Sequence, residues 1–183
     1  MLETLTPLSH AQPETVTIGP FTIVERVDTA LASLAIRRGR QDDVATAAAA
    51  AGIPLPGPGA HGSATLAAFW LAPEMWMVEA PFASHEDIRA HLVQVFGDAA
   101  SITEQTDAWV RFDLTSDHLP ALLERLCNVD LARAAPGHAT RTVIDHLGCY
   151  LIKHSAREIT LYGPRSSAET LHHALTVAAG SLL

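Results

Sequence analysis

The sequence predicts an α+β fold of duplicated split βαβ halves, antiparallel sheets covered by helices, and three observations carry that prediction. The first is an internal echo. Glu74-Met75-Trp76-Met77-Val78-Glu79-Ala80-Pro81-Phe82-Ala83-Ser84 returns as Arg157-Glu158-Ile159-Thr160-Leu161-Tyr162-Gly163-Pro164-Arg165-Ser166-Ser167, apolar residue over apolar residue. Ser84-x-Glu86-x-Ile88 likewise matches Ser167-x-Glu169-x-Leu171, so each copy reads as a strand, a breaker and a capped helix. The second is element order: each half reads β-α-β-β-α, in which helices cover one face of an antiparallel sheet. The third is composition. A chain of 183 residues with 48% hydrophobic and 17% charged residues has ordinary globular make-up and can bury a full core. The copies lie about 80 residues apart, too long a period and too few copies for a solenoid, so two interlocked, ferredoxin-like halves sharing one core are expected.

Residues 1–20 carry Pro7, Pro13 and Pro20 without sustained periodicity and read as an extended arm outside the core. Residues 21–183 then form a single globular domain of two pseudo-repeats, about 21–106 and 107–183. Phe21-Thr22-Ile23-Val24 and Leu31-Ala32-Ser33-Leu34-Ala35-Ile36 read as strands. Gln41-Asp42-Asp43-Val44 opens an alanine-rich helix through Ala51, its acidic pair favouring the helix start and Gly52 ending it. Ile53-Pro54-Leu55-Pro56-Gly57-Pro58-Gly59 can continue neither helix nor strand and is a connector. Strands follow over 64–71 and 75–79, joined by a tight turn at Ala72-Pro73-Glu74, then a helix over 84–96 and a strand near 101–105. In the second half, Ala108-Trp109-Val110-Arg111-Phe112-Asp113-Leu114 alternates as a strand, and Ser116-Asp117 caps a helix with Leu119, Leu122, Leu123 and Leu126 on one side. Strands near 139–144, 149–153 and 158–162, with a turn near Leu147-Gly148, lead to a last helix from 167 to about 179.

The formal net charge of −8 with only 12 Lys and Arg, none of the arginines forming a stripe, argues against a phosphate-tracking surface, so nucleic acid is not an expected partner. No apolar run approaches the roughly 20 residues needed to span a bilayer. Residues 1–20 lack the basic start and apolar centre of a signal peptide, and two cysteines, Cys127 and Cys149, cannot build a disulfide framework. A cytoplasmic protein with two buried thiols is the expectation, with no membrane contact.

Ten histidines invite a metal site, but their spacing does not support one. A turn near Leu147-Gly148 separates His146 from His154, so the even run His138, His146, His154 does not surround one point. His85 and His91 are six apart and His172-His173 adjacent, neither of which is the i, i+4 geometry of a helical ligand pair. Cys127 follows Leu126 on an apolar face and lacks a Cys-x-x-Cys partner. There is no nucleophile elbow, dinucleotide fingerprint or Walker loop, and in Gly57-Pro58-Gly59-Ala60-His61-Gly62 the prolines remove the donors of a phosphate cradle, leaving a linker. Arg111 and Asp113 have the look of one solvated strand face. Arg141, at a strand start, and Arg165, beside a helix N-terminus, are the candidate contacts for a partner's acidic side chain or an anion, against the plainer reading of pairing within this acidic chain. The tryptophans Trp70, Trp76 and Trp109 lie in strands, with core packing as their first role. No catalytic, cofactor-binding or metal-binding residues emerge.

Four segments in order resemble the gamma subunit of heterotetrameric sarcosine oxidases: Phe69-Trp70-Leu71-Ala72-Pro73-Glu74-Met75-Trp76-Met77-Val78 followed by Ala80-Pro81; Leu122-Leu123-Glu124-Arg125-Leu126-Cys127-Asn128-Val129-Asp130-Leu131; His138-Ala139-Thr140-Arg141-Thr142; and Gly163-Pro164-Arg165-Ser166-Ser167-Ala168-Glu169-Thr170-Leu171. The chain departs from the family at His172, His173 and Ala174, where aromatic residues are common, and in its proline-glycine loop and long arm.

The resemblance implies a fold similar to the folate-binding aminomethyltransferase fold. It also implies an accessory gamma role: structural support, without catalytic residues, beside alpha, beta and delta subunits. Those partners would carry FAD, FMN, NAD, tetrahydrofolate and zinc, none held by this chain. The complex would oxidatively demethylate sarcosine to glycine, yielding hydrogen peroxide and either formaldehyde or methylenetetrahydrofolate. The alternatives are a stand-alone folate-binding aminomethyltransferase-like protein, which needs a carboxylate near the folate nitrogen and finds its best candidate in Asp113, and a non-enzymatic scaffold sharing only the fold.

Overall fold

The computed structural model describes residues 5–183. In chain order it contains β1 (Thr15–Ile18), β2 (Phe21–Arg26), β3 (Thr29–Ile36), α1 (Gln41–Ala51), β4 (His61–Ser63), β5 (Ala67–Ala72), β6 (Met75–Pro81), α2 (Ile88–Phe96), β7 (Ala100–Glu104), β8 (Trp109–Thr115), α3 (Leu119–Glu124), β9 (Ala139–Ile144), β10 (Leu147–Lys153), β11 (Glu158–Pro164) and α4 (Ala168–Gly180). The fold is α+β, with two antiparallel sheets and four helices among the described residues.

The chain forms two compact units, one of Asp28–Asp107 and one of the residues up to Val27 together with Ala108–Leu183. The sheet of the first has the order β4-β5-β6-β3-β7. That of the second, read from its far edge, is β9-β10-β11-β8-β2-β1. The five slots of the first match the first five of the second, β1 being an added edge strand, and the echoed strands β6 and β11 take the same third position. Each slot from β5 to β7, and from β10 to β2, has the order of a split βαβ sheet.

The last of those slots is filled differently in the two units. Beside β3 lies β7, which follows α2 in sequence. Beside β8 lies β2, from the opposite end of the sequence, in register from Thr22 opposite Thr115 to Arg26 opposite Arg111. Phe21–Arg26, grouped with the first repeat on sequence order, therefore completes the sheet of the second. Its alternation explains the fit: Phe21 and Ile23, each 1% exposed, enter the same core as Phe112 and Leu114.

The arm also differs from its expectation. Its first four residues lie outside the described ones. Beyond them, Leu8 is buried and Thr15–Ile18 pairs with β2. The buried Glu25 carboxylate accepts the Leu8 N–H at 2.9 Å and the Glu14 N–H at 3.1 Å, so a strand side chain fixes the path of the arm. Each unit also has its own core rather than a share in one. Val44, Leu34, Val78, Ile88 and Leu92 lie in the first, and Phe112, Leu122, Leu151, Leu161 and Leu171 in the second.

Helix α1 ends as its sequence suggests, with Gly52 left-handed at φ 65° and its N–H donated to the carbonyls of Ala48 and Ala49. Helix α2 starts later than the serine-cap reading predicts. Asp87 is the cap, accepting the Ala90 N–H at 2.8 Å, while the Ser84 hydroxyl donates to the Pro81 carbonyl. Ser167 makes no capping bond either, because a single 3-10 turn over Arg165–Ser167 leads the chain into α4. Before α3, the Ser116 hydroxyl oxygen accepts the His118 N–H at 3.0 Å. His61 and Gly62, read as the end of a linker, form with Ser63 a short edge strand against β5.

The β9–β10 turn falls two residues earlier than expected. Asp145 and His146, at φ 47° and 66°, form a two-residue loop with both positions left-handed, the backbone whose twist suits a hairpin. Asp and His tolerate that region better than most side chains, which is why the turn carries no glycine. Gly148 instead lies within β10, where an added Cβ would come within 3.3 Å of the Arg141 guanidinium.

Candidate functional site

The densest polar constellation sits on the sheet of the second unit. Alternation along β8 sends Val110, Phe112 and Leu114 into the core and leaves Arg111 and Asp113 on the other face. Register then sets Thr160 of β11 opposite Asp113, and Tyr162 opposite Arg111. The Arg111 guanidinium grips its neighbour's carboxylate through both oxygens, Nε to Oδ1 at 2.9 Å and Nη2 to Oδ2 at 3.0 Å. Arg26 of β2 approaches Oδ2 at 3.9 Å. The Thr160 hydroxyl donates to Oδ1 at 2.6 Å. That hydroxyl has given its one proton, so its 2.9 Å contact with His154 Nε2 makes the imidazole the donor. Arg111 also lies 6.0 Å from the centre of the Tyr162 ring.

This arrangement is a lock rather than a reactive set. A carboxylate held by a bidentate guanidinium, a hydroxyl and a second arginine is poorly placed to take a proton from a ligand. Arg111 and Asp113, read from sequence as a solvated face, are 22% and 27% exposed in their side chains and paired to each other.

Sequence reasoning missed a second pair, in the first unit. His61 of β4 and Glu79 of β6 meet at 3.1 Å with 13% and 9% of their side chains exposed. The available signal was a single glutamate inside the apolar run of β6. Nearby in sequence, Trp76 donates its indole N–H to the Pro56 carbonyl at 2.8 Å, tying the proline-glycine connector to the sheet.

The two arginines singled out from sequence occupy different places. Arg165 is half-buried after β11, and its Nη2 donates to the Leu5 carbonyl at 3.2 Å, so it holds the arm. Arg141 is exposed on β9, at the edge of the sheet, and lines a groove of about 590 Å³ with Asn128, Arg133 and His138.

The remaining candidates are packing groups or scattered surface groups. Cys149 is fully buried, and burial pushes its thiol up to about 11, far from nucleophilic use at neutral pH. Cys127 is half-buried against the same core. His138 and His154 lie at one end of the β9–β10 hairpin and His146 in its turn. His85 and His91 stack edge to face at 4.9 Å, and His172 stacks on Phe112 at 5.6 Å. Among the described residues no three His, Cys, Asp or Glu side chains converge as a metal site. No helix among them is long and apolar enough to cross a membrane.

No protein-family model matches the chain, and no curated protein matches it. Solved structures do. A chain of the heterotetrameric sarcosine oxidase from Corynebacterium sp. U-96, in complex with pyrrole 2-carboxylate, superposes with a TM-score of 0.76 at 21% identity, over 92% of this chain and 88% of that one. The glycine cleavage system aminomethyltransferase T from Bartonella henselae superposes with a TM-score of 0.60 at 14% identity, over 85% of this chain and 48% of that one. The chain therefore has the fold shared by these sarcosine oxidase and aminomethyltransferase structures, and spans about half the length of the latter.

Proposed function

We propose that this chain is the accessory gamma subunit of a heterotetrameric sarcosine oxidase. It would support alpha, beta and delta subunits that carry FAD, FMN, NAD, tetrahydrofolate and zinc, in a cytoplasmic complex. The whole converts sarcosine to glycine with hydrogen peroxide and formaldehyde or methylenetetrahydrofolate, and this chain contributes surface, not reacting groups. The observation that carries the reading is the near-complete overlap with a sarcosine oxidase chain, 92% of one and 88% of the other, in a protein in which four segments, in order, resemble the gamma subunit of such enzymes.

The aminomethyltransferase-like alternative needs a carboxylate free to meet a folate nitrogen. Asp113, its best candidate, does not fit that task, because Arg111 and Thr160 already occupy its oxygens. The test is affinity capture of the full chain from its native cells, with absorbance spectroscopy of the eluate. Recovery with two larger yellow or nucleotide-bearing subunits and a small zinc-containing one is the expected result. A colourless chain recovered alone, or one that oxidises sarcosine unaided, would refute it.

A further inference from the structure

Among the described residues, the β9–β10 hairpin leaves the backbone on one side of β9 without strand partners. Its two-residue turn makes Ile144 and Leu147 a bonded pair, and the same parity reappears at the far end, where the Lys153 N–H donates to the His138 carbonyl at 2.8 Å. Even-numbered residues of β9 thus bond to β10, and the N–H and C=O groups of Ala139, Arg141 and Val143 point away from the sheet. β9 ends the sheet order, so no strand of this unit's sheet receives them. Among the described residues the Arg141 carbonyl has only a long 3.4 Å contact, from the hydroxyl of Thr140.

The side chains beside this edge are cationic and unengaged. Arg133 and Arg141 are both exposed, and neither has an ion pair or side-chain hydrogen bond among the described residues, unlike Arg26, Arg40, Arg111, Arg157 and Arg165. His138 lies in the same groove. The one carboxylate there, Asp130, is turned to its own loop, accepting the Arg133 N–H at 3.1 Å. Val143, 59% exposed, adds an apolar contact along the strand. In a chain of net charge −8, this is a local basic strip lying along an open sheet edge.

We propose that the β9 edge takes an extended acidic segment of a partner protein as an added strand, its backbone meeting Arg141 and Val143 and its carboxylates meeting Arg133 and Arg141. This deepens the accessory-subunit reading and rests on it for which protein brings the segment. A second copy of this chain is a poor occupant. Two β9 edges paired antiparallel with the axis at Arg141 would set arginine against arginine, and with the axis at Thr142 they would leave the two arginines as diagonal neighbours, so like charges meet across the strands in both registers and destabilise the pair.

The probe is a short peptide alternating glutamate and valine, titrated against the full chain by fluorescence anisotropy at low and high salt. A lysine-valine peptide and a glutamate-valine peptide N-methylated at alternate amides serve as controls. Expected results are saturable, salt-sensitive binding of the first peptide only, and on the order of a tenfold loss or more in the R133E/R141E double variant, whose melting should stay with wild type because both side chains are exposed. No saturable binding to the wild-type chain would mean that Arg141 merely guards the edge against aggregation, and would overturn the proposal. Undiminished binding of the N-methylated peptide would overturn it too, leaving charge attraction without strand addition. Capture of the double variant with its large partners at wild-type yield would sink this docking site while sparing the accessory-subunit reading. Capture of the wild-type chain with no partner would sink that reading instead.

Discussion

Thr160 donates its hydroxyl to Asp113 across the β8–β11 ladder at 2.6 Å while only 1% of the residue is exposed. The contact joins the central echoed strand to its neighbour with a charge-assisted bond, and passes the constraint on to His154. Thr160→Val keeps the branched shape and removes the oxygen, leaving Asp113 short of one donor and His154 Nε2 short of an acceptor. A loss of about 1–3 kcal/mol is expected in chemical denaturation. An unchanged midpoint would show that the hydroxyl is dispensable to the lock.

Asp113→Asn separates structural from chemical use of the same carboxylate. The amide keeps the shape but weakens the double grip of Arg111 and places an N–H₂ where an acceptor stood. Stability should fall by about 1–2 kcal/mol, and under the proposed function sarcosine turnover of the proposed complex should be unchanged at a temperature where the variant is folded. Selective loss of one-carbon transfer in a fully folded, fully assembled variant would instead give Asp113 the folate-facing role of the aminomethyltransferase-like alternative.

Gly163 lies in β11 where a Cβ would collide with Leu171 Cδ2 and sit 3.6 Å from Cys149 Sγ. Leu171 and Cys149 are both fully buried, so neither can swing aside. Gly163→Ala should therefore cost about 1–3 kcal/mol by overpacking, and adding Leu171→Ala should cost less than the two single changes summed. Additive losses in that double-mutant cycle would show that the backbone, not Leu171, sets the limit. The echo aligns Gly163 with Ala80, so the two repeats differ here in how closely helix and strand approach.

The echo itself was legible because alternation of apolar residues at period two survives independent drift in the two copies. It placed β6 and β11 as equivalent strands, and the sheet orders agree. The allegiance of β2 was not legible. Phe21-Thr22-Ile23-Val24 announces a half-buried strand, but strand pairing is set by packing at long sequence separation, and the neighbour in sequence is not the neighbour in the sheet. Helix starts misled for a related reason: Ser84 and Asp87 are both good caps, and only the backbone path out of β6 chooses between them. The Arg111–Asp113 grip escaped because two residues on one strand face look the same whether they meet water or each other. Arg165 gave no hint of its partner, the Leu5 carbonyl 160 residues away.

Cys149 makes stability fall with pH in a definite window. Burial raises its thiol from 9.0 to about 11, so the folded state keeps a proton that the unfolded chain releases. The contribution is fully present below pH 9 and is lost progressively as pH rises towards 11, by on the order of 2–3 kcal/mol. Cys149→Ala should flatten the decline of the denaturation midpoint between those pH values relative to wild type, whatever the other alkaline titrations contribute to both. Cys127, half-buried, should react with a thiol reagent in the native protein well before Cys149 does. Equal slopes for the two proteins, or faster labelling of Cys149, would show that the buried thiol is open to solvent.

Lys153 closes the loop that carries Arg133. Its ammonium, on a residue 7% exposed, donates to the carbonyls of Leu131 at 2.8 Å and Ala134 at 2.7 Å, while its backbone bonds His138 and Gly137. A buried cation satisfied by two carbonyls orders a stretch that has no regular structure of its own, and so sets the position of Arg133 beside the β9 edge. Lys153→Met fills the same space without donors. It should destabilise the chain by about 1–3 kcal/mol and, more tellingly, raise amide exchange and proteolytic cleavage over residues 128–137 ahead of global unfolding. Binding of the glutamate-valine peptide should weaken in the same variant, since a loosened loop no longer holds Arg133 in line with Arg141. Unchanged exchange across that loop would show that Leu131, packed in the core at 2% exposure, anchors it alone.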